Sequence, residues 1–295
     1  MSTVIQLGLF LLGLAFGSFL NVITLRYNPE RGFYNKKHFT GRSMCPHCHK
    51  ILSWYELIPL ASYLIQKGRC RTCQSRLTVQ YPLVEFTSAL IFLFVPTTLQ
   101  NIFLMPVTNY SVLLILGSVI WIAALMFLLA AFIIDLRYYI IPNSVNLTVF
   151  VVALIWIFIG WRWGAFSSVY GSSFLKQFAA IFPFFGSPLA NHILGAVAGI
   201  IFFLGIYLLS KGRAMGMGDV KLIAALGLLF GWPDIIIIML LSFIIGALVS
   251  IVLLIVKKKK MTDKVPFGPF IVIATAIVFF FGAGLMSSYF AIIGL

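Results

Sequence analysis

The chain has 295 residues, 61% of them hydrophobic and only 9% charged, a balance that excludes a soluble surface and points to a polytopic membrane protein. A net charge of +14 would suggest a nucleic-acid partner in a soluble protein. That partner is excluded here, because the basic residues gather between apolar runs in the pattern of a membrane topology.

In chain order, apolar runs occupy 4–25, 83–99, 111–134, 145–161, 191–210, 220–230, 235–256 and 267–295. Most approach the roughly 20 residues that a spanning helix requires. The expected fold is therefore all-α, with about eight transmembrane helices in a lipid bilayer. Pro96 interrupts one run and 220–230 is short, so either is open to being tilted, kinked or re-entrant. No basic residue precedes the first run, which reads as a permanent anchor and not as a cleaved signal peptide.

If the first run enters the membrane from outside, the cytosol holds 26–80, 135–144, 211–219 and 257–266. With Lys221 counted in its adjacent loop, these segments carry 19 of the 21 Lys and Arg, and only Arg162 and Lys176 lie elsewhere. Such an asymmetry places both termini outside. Three parts are expected: a first transmembrane helix (1–25), a cytosolic tetracysteine domain (26–80) and a transmembrane domain of about seven helices (81–295).

The segment 26–80 is the one long polar stretch, and it holds all four cysteines, as Cys45-Pro46-His47-Cys48 and Cys70-Arg71-Thr72-Cys73. Each C-x-x-C pair supplies two thiolates from one tight turn, and two pairs complete the tetrahedron of a zinc ribbon. Four thiolates close the coordination shell, so zinc held by Cys45, Cys48, Cys70 and Cys73 would be structural. The alternatives are disulfides, which rarely persist in a reducing cytosol, and free or redox-active thiols. His47 and His49 read as surface residues beside the knuckle. Between the pairs, Leu52, Trp54, Tyr55, Leu57, Ile58, Leu60, Tyr63 and Leu64 are too apolar for a free loop, and a helix lying against the membrane or the other spans is expected.

Asp135 closes the run 111–134, and Asp219 opens a later one within Gly216-Met217-Gly218-Asp219-Val220-Lys221-Leu222. A carboxylate beside hydrocarbon is costly and marks function by default. Both fall at predicted cytosolic ends, where helix packing can bring them together across 84 residues of sequence. Paired carboxylates share one proton, so one can act as general base on water while the other polarises a carbonyl. The chemistry indicated is aspartyl proteolysis. Gly216 and Gly218 would allow a tight turn and close approach of substrate, Lys221 lies on the same loop, and Pro142 would stop the chain after Asp135 from continuing as one helix. The simpler readings are that Asp135 pairs with Arg137 or caps a helix, and that Asp219 caps the helix beginning at Val220. Glu56 and Glu85 also flank the membrane, where they could pair with the basic loop or contact a cationic substrate.

Three small-residue motifs, Gly13/Gly17, Gly195/Gly199 and Gly227/Gly231, are expected to pack helices closely. The run Lys257–Lys260 marks the cytosolic end of a helix. The outer segment 162–190 carries no readable chemistry.

Taken together, these residues resemble the type IV prepilin peptidase family, membrane aspartic peptidases of the GxGD type. The resemblance runs through Gly17-Ser18-Phe19-Leu20-Asn21-Val22, the two cysteine pairs, Leu52-Ser53-Trp54-Tyr55-Glu56-Leu57, Tyr81-Pro82-Leu83-Val84-Glu85, Asp135 with Ile141-Pro142, the block 216–222, and Pro266-Phe267-Gly268-Pro269. It implies that Asp135 and Asp219 are the catalytic aspartates, removing short basic leaders from prepilins and pseudopilins at the cytosolic face of a bacterial inner membrane. It also implies N-methylation of the new N-terminus from S-adenosylmethionine, for which the sequence shows no Rossmann glycine fingerprint. Met44, Gln80 and Asn143 depart from the family pattern without removing an aspartate or a thiol. The competing functions are a peptidase without methylation, a transporter relaying protons or cations through its aspartates, and a scaffold that uses the metal module to bind partners.

Overall fold

In a computed structural model, the described residues are 2–102, 110–162, 173–182, 187–257 and 263–294. Residues 163–172 and 183–186 of the outer segment 162–190, and Lys258–Lys260 of the basic run, lie outside them. The chain divides into two compact units, 1–97 and 98–295.

The first unit contains α1 (Thr3–Arg26), α2 (Lys36–Phe39), α3 (Ala61–Ile65) and most of α4 (Gln80–Ile102), with 3-10 turns at Pro29–Arg31 and Trp54–Leu57. Gly13 and Gly17 bring α1 against α4: a Cβ on either would come within 2.7 Å of the Cα of Ala89 or Glu85. The approach lets the Ser88 hydroxyl donate to the Gly13 carbonyl at 2.7 Å, and the Asn21 amide to that of Tyr81 at 3.1 Å. α4 runs through Pro96. The apolar stretch between the cysteine pairs is not the single helix expected. Leu60, at φ 58°, separates the 3-10 turn from α3, and such a left-handed residue cannot continue a helix.

The second unit holds α5 (Tyr110–Tyr138), α6 (Asn143–Arg162), α7 (Pro188–Leu209), α8 (Met217–Phe230), α9 (Asp234–Ile255) and α10 (Gly268–Ile293), with a 3-10 turn at Lys176–Ile181. Its core is built on Trp121, whose ring lies 4.8–4.9 Å from those of Phe174, Phe230 and Phe279 and 5.8 Å from Trp156. Fully buried aromatic clusters of this kind dominate packing energy. α7 and α8 meet through the remaining two glycine motifs, since a Cβ on Gly195 would lie 2.6 Å from the Gly227 carbonyl oxygen.

Among the described residues, seven helices are long and apolar enough to cross a membrane. α8 is the remaining apolar helix. Its 14 residues rise about 21 Å, short of a hydrocarbon core of roughly 30 Å. Ten of the 14 are buried, so protein and not lipid surrounds it. Enclosure removes the need to match the bilayer.

Candidate functional site

Alternating helix directions place the C-terminal end of α5 and the N-terminal ends of α6, α8 and α10 together, and side-chain hydrogen bonds tie them. Asp135, in the last turn of α5, is 4% exposed and accepts the Gly268 N–H at 3.0 Å through Oδ2. Asp219, in the first turn of α8, is 7% exposed and accepts the Gly216 N–H at 3.0 Å through its own Oδ2. The two carboxylates lie at neighbouring helix ends, linked through the residues around Ile141.

Ile141 is the common neighbour. A Cβ on Gly218 would lie 3.3 Å from the Ile141 Cβ, and one on Gly268 would lie 2.9 Å from its Cδ1 and 2.6 Å from Asp135 Oδ2. Glycine at 268 is therefore a spatial requirement. Any side chain there would displace the carboxylate. Gly216, by contrast, has φ −84° and ψ 154°, extended backbone open to any residue. The tight-turn argument for Gly216 does not hold, and the small size of Gly218 serves its packing on Ile141.

The remaining sequence-selected residues brace this arrangement. The Pro142 carbonyl accepts the N–H groups of Val145 and Asn146 at 3.0 and 3.2 Å, starting α6. Lys221 Nζ donates to Asn143 Oδ1 at 2.8 Å, joining α8 to α6. Asn146, passed over in the sequence, donates its amide to the Gly218 carbonyl at 3.1 Å. The simpler reading put Asp219 ahead of a helix beginning at Val220, but α8 begins at Met217 and Asp219 lies in its first turn, where one oxygen accepts the N–H of the N-cap residue Gly216.

A third buried acid was also missed. Asp234 accepts the Ser173 hydroxyl at 2.6 Å and the Phe174 N–H at 2.9 Å. It sits at the far end of α8 from Asp219 and fastens the 173–175 segment beside the aromatic core.

The first unit carries a separate arrangement. The two cysteine pairs occupy matching knuckles offset by 25 residues. Cys45 N–H donates to the Lys50 carbonyl and Cys70 N–H to that of Ser75, while Leu52 and Leu77 N–H close onto Ser43 and Gly68. Bridges Met44–Ile51 and Arg69–Arg76 clamp each knuckle. His49 and Gln74 take the same left-handed conformation, φ 55°, after the second cysteine of each.

The four Sγ atoms lie within 4.8 Å of one another, with Cys45–Cys73 at 3.8 Å and Cys48–Cys70 at 3.9 Å. A tetrahedron with metal–sulfur bonds of about 2.3 Å has edges of about 3.8 Å. A disulfide requires about 2.05 Å. The cluster is thus shaped to hold a metal ion. A hydrogen bond from the Ser75 hydroxyl, with help from its N–H, pulls the Cys73 thiol down to about 6. His47 and His49 are not among these ligands.

Glu56 and Glu85, 7% and 6% exposed, accept main-chain N–H groups of Ser53 and Leu60, each at 2.8 Å. Both line a cavity of about 550 Å³ inside the first unit.

Fold and sites together define a multi-pass helical membrane protein with two buried aspartates at adjoining helix ends and a tetrathiolate knuckle. The profile of the bacterial peptidase A24 N-terminal domain matches residues 11–99, and that of the type IV leader peptidase family matches 121–251. Proteins called prepilin leader peptidase/N-methyltransferase are similar along almost their whole length. The Aeromonas hydrophila protein is 30% identical, covering 95% of this chain and 92% of its own. The Pseudomonas putida protein is 30% identical over 96% and 93%, and the Legionella pneumophila protein 29% over 95% and 92%. The chain belongs to the type IV leader peptidase family. No solved structure matches it.

Proposed function

We propose that this protein removes the basic leader peptide from type IV prepilins and pseudopilins and then N-methylates the new N-terminus. Asp135 and Asp219 are the catalytic pair. One observation carries this reading: two aspartates distant in sequence are buried at neighbouring helix ends, each bound by a glycine N–H, with Gly218 and Gly268 beside them both packed on Ile141.

In the proposed reaction, the ionised carboxylate takes a proton from water as the water oxygen attacks the scissile carbonyl carbon. The protonated partner donates to the carbonyl oxygen. Collapse of the tetrahedral intermediate breaks the C–N bond, and the leaving amine takes up a proton. Gly218, Lys221 and Pro142 position the helix ends, and Gly216 supplies its N–H to Asp219.

The concentration of Lys and Arg in 26–80 and the short loops orients the pair toward the cytosol of an inner membrane. Segment 26–80 is the cytosolic domain, and its metal is structural zinc, since four thiolates at tetrahedral spacing leave no open position for water. S-adenosylmethionine, the donor implied by the relatives' methyltransferase name, supplies an electrophilic methyl group to the new amine.

The test is incubation of the detergent-purified protein with a prepilin, following leader removal by mass. Asp135→Ala and Asp219→Ala are each expected to abolish cleavage. Cleavage that survives either substitution refutes the pair. A methyl-sized mass gain on the mature N-terminus, dependent on S-adenosylmethionine, tests the second activity. The relay reading is disfavoured because both acids sit at helix ends and not at mid-membrane.

A further inference from the structure

The 3-10 turn at Trp54–Leu57 and α3 stand where membrane meets water. Leu60, between them, donates its N–H to Glu85 Oε2 at 2.8 Å. Glu85 lies five residues into α4, about 7.5 Å along a helix of 23 residues that rises about 35 Å. The hydrocarbon core takes roughly 30 Å of that length. The bond therefore holds the segment at the depth where headgroups give way to acyl chains.

The side chains on either side of Leu60 suit that depth. Trp54 is 77% exposed, Leu64 71% and Ile65 70%. Apolar groups so open to water cost free energy until something covers them, and Trp, with an apolar body and a polar N–H, is enriched at membrane interfaces. Basic residues follow at once. Lys67, Arg69, Arg71 and Arg76 are all exposed, and residues 50–79 hold five Lys and Arg against one acid, the buried Glu56. The Arg71 guanidinium lies over Tyr55, 5.1 Å from the ring centroid, which joins the second knuckle to the aromatic turn. An apolar face edged by cations is the composition of an interfacial membrane anchor.

We propose that this turn and α3 dock on the anionic lipid surface of the bilayer that the chain itself spans, with Trp54, Leu64 and Ile65 entering the headgroup–acyl boundary and Lys67, Arg69 and Arg71 meeting lipid phosphates. Such docking seats the cysteine knuckles against the membrane at a point besides α1 and α4. It goes beyond the cleavage and methyl-transfer readings and depends on neither.

The test uses the full chain in nanodiscs of equal parts phosphatidylglycerol and phosphatidylcholine, with the photo-crosslinking substitution Leu64→p-benzoylphenylalanine. After illumination, intact mass should show single-phospholipid adducts, with phosphatidylglycerol exceeding phosphatidylcholine at least about fivefold, as expected when even one basic side chain engages an anionic surface. Changing Lys67, Arg69 and Arg71 to Gln in the same protein should bring that ratio to about one. Equal yields of the two lipids before that change overturn the anionic surface. An illuminated protein without lipid adducts, or with an adduct at twice the chain mass, assigns the face to the chain itself or to a second copy and overturns the docking. A second measurement needs no unnatural residue. Brominated phospholipid should quench the fluorescence of Trp54, isolated from the other five tryptophans as the difference between wild type and Trp54→Phe. A difference signal that brominated lipid leaves unquenched refutes the proposal.

Discussion

Gly268 shows how little space the aspartate site leaves. Its N–H fixes Asp135 Oδ2, and an added Cβ would lie 2.6 Å from that same oxygen. Gly268→Ala should therefore push the carboxylate aside and lower the rate of leader removal by about 10- to 100-fold, as expected for misplacement on the ångström scale. A rate within twofold of wild type would mean that Asp135 tolerates displacement. Asn146 is a milder case, since it reaches the pair only through the Gly218 carbonyl. Nothing in the local sequence marks Asn146 or explains Gly268, because both act on residues more than 70 positions away.

Among the elements, the contact between α7 and α8 sets where Asp219 sits. Gly195 and Gly227 lie face to face, so the backbones touch where side chains would hold them apart. Gly195→Leu should cost about 1–3 kcal/mol or more through overpacking, read as a lower melting temperature in detergent and a loss of cleavage. The glycine spacing was legible in the sequence, but that the second motif packs on the third was not. The cysteine knuckles behave differently, because their pairs are local. Cys45→Ser/Cys73→Ser should lose the bound metal in elemental analysis, and full metal content would contradict the tetrathiolate. Acid should act in the same direction. A cysteine must be deprotonated to ligate, so metal binding is complete at alkaline pH and is lost as pH falls. Metal release monitored during acid titration checks the sign.

At the scale of the whole molecule, the positive charge predicts a topology that thiol labelling can test. In a cysteine-free background, a cysteine at Lys211 should resist an impermeant reagent applied to intact spheroplasts, and one at Lys176 should react. The reverse pattern would turn the aspartate pair outward and end the proposal of cytosolic cleavage. α8 explains why eight apolar runs yield seven helices of spanning length among the described residues: a helix enclosed by protein can be short.

Composition, charge placement and cysteine spacing were enough to determine a polytopic helical protein, a basic side to its topology, four cysteines spaced to hold a metal and the two aspartates to inspect. Hydropathy and topogenic charge act residue by residue, and a C-x-x-C turn closes within a few bonds, so both can be read along the chain. Tertiary structure alone decided that the helix ends carrying Asp135 and Asp219 meet around Ile141, that Gly268 and Asn146 brace them, and that Glu56 and Glu85 share a cavity with Cys45 and Cys70. Those relations depend on which helix faces meet. Helices that are apolar all round carry almost no record of their neighbours.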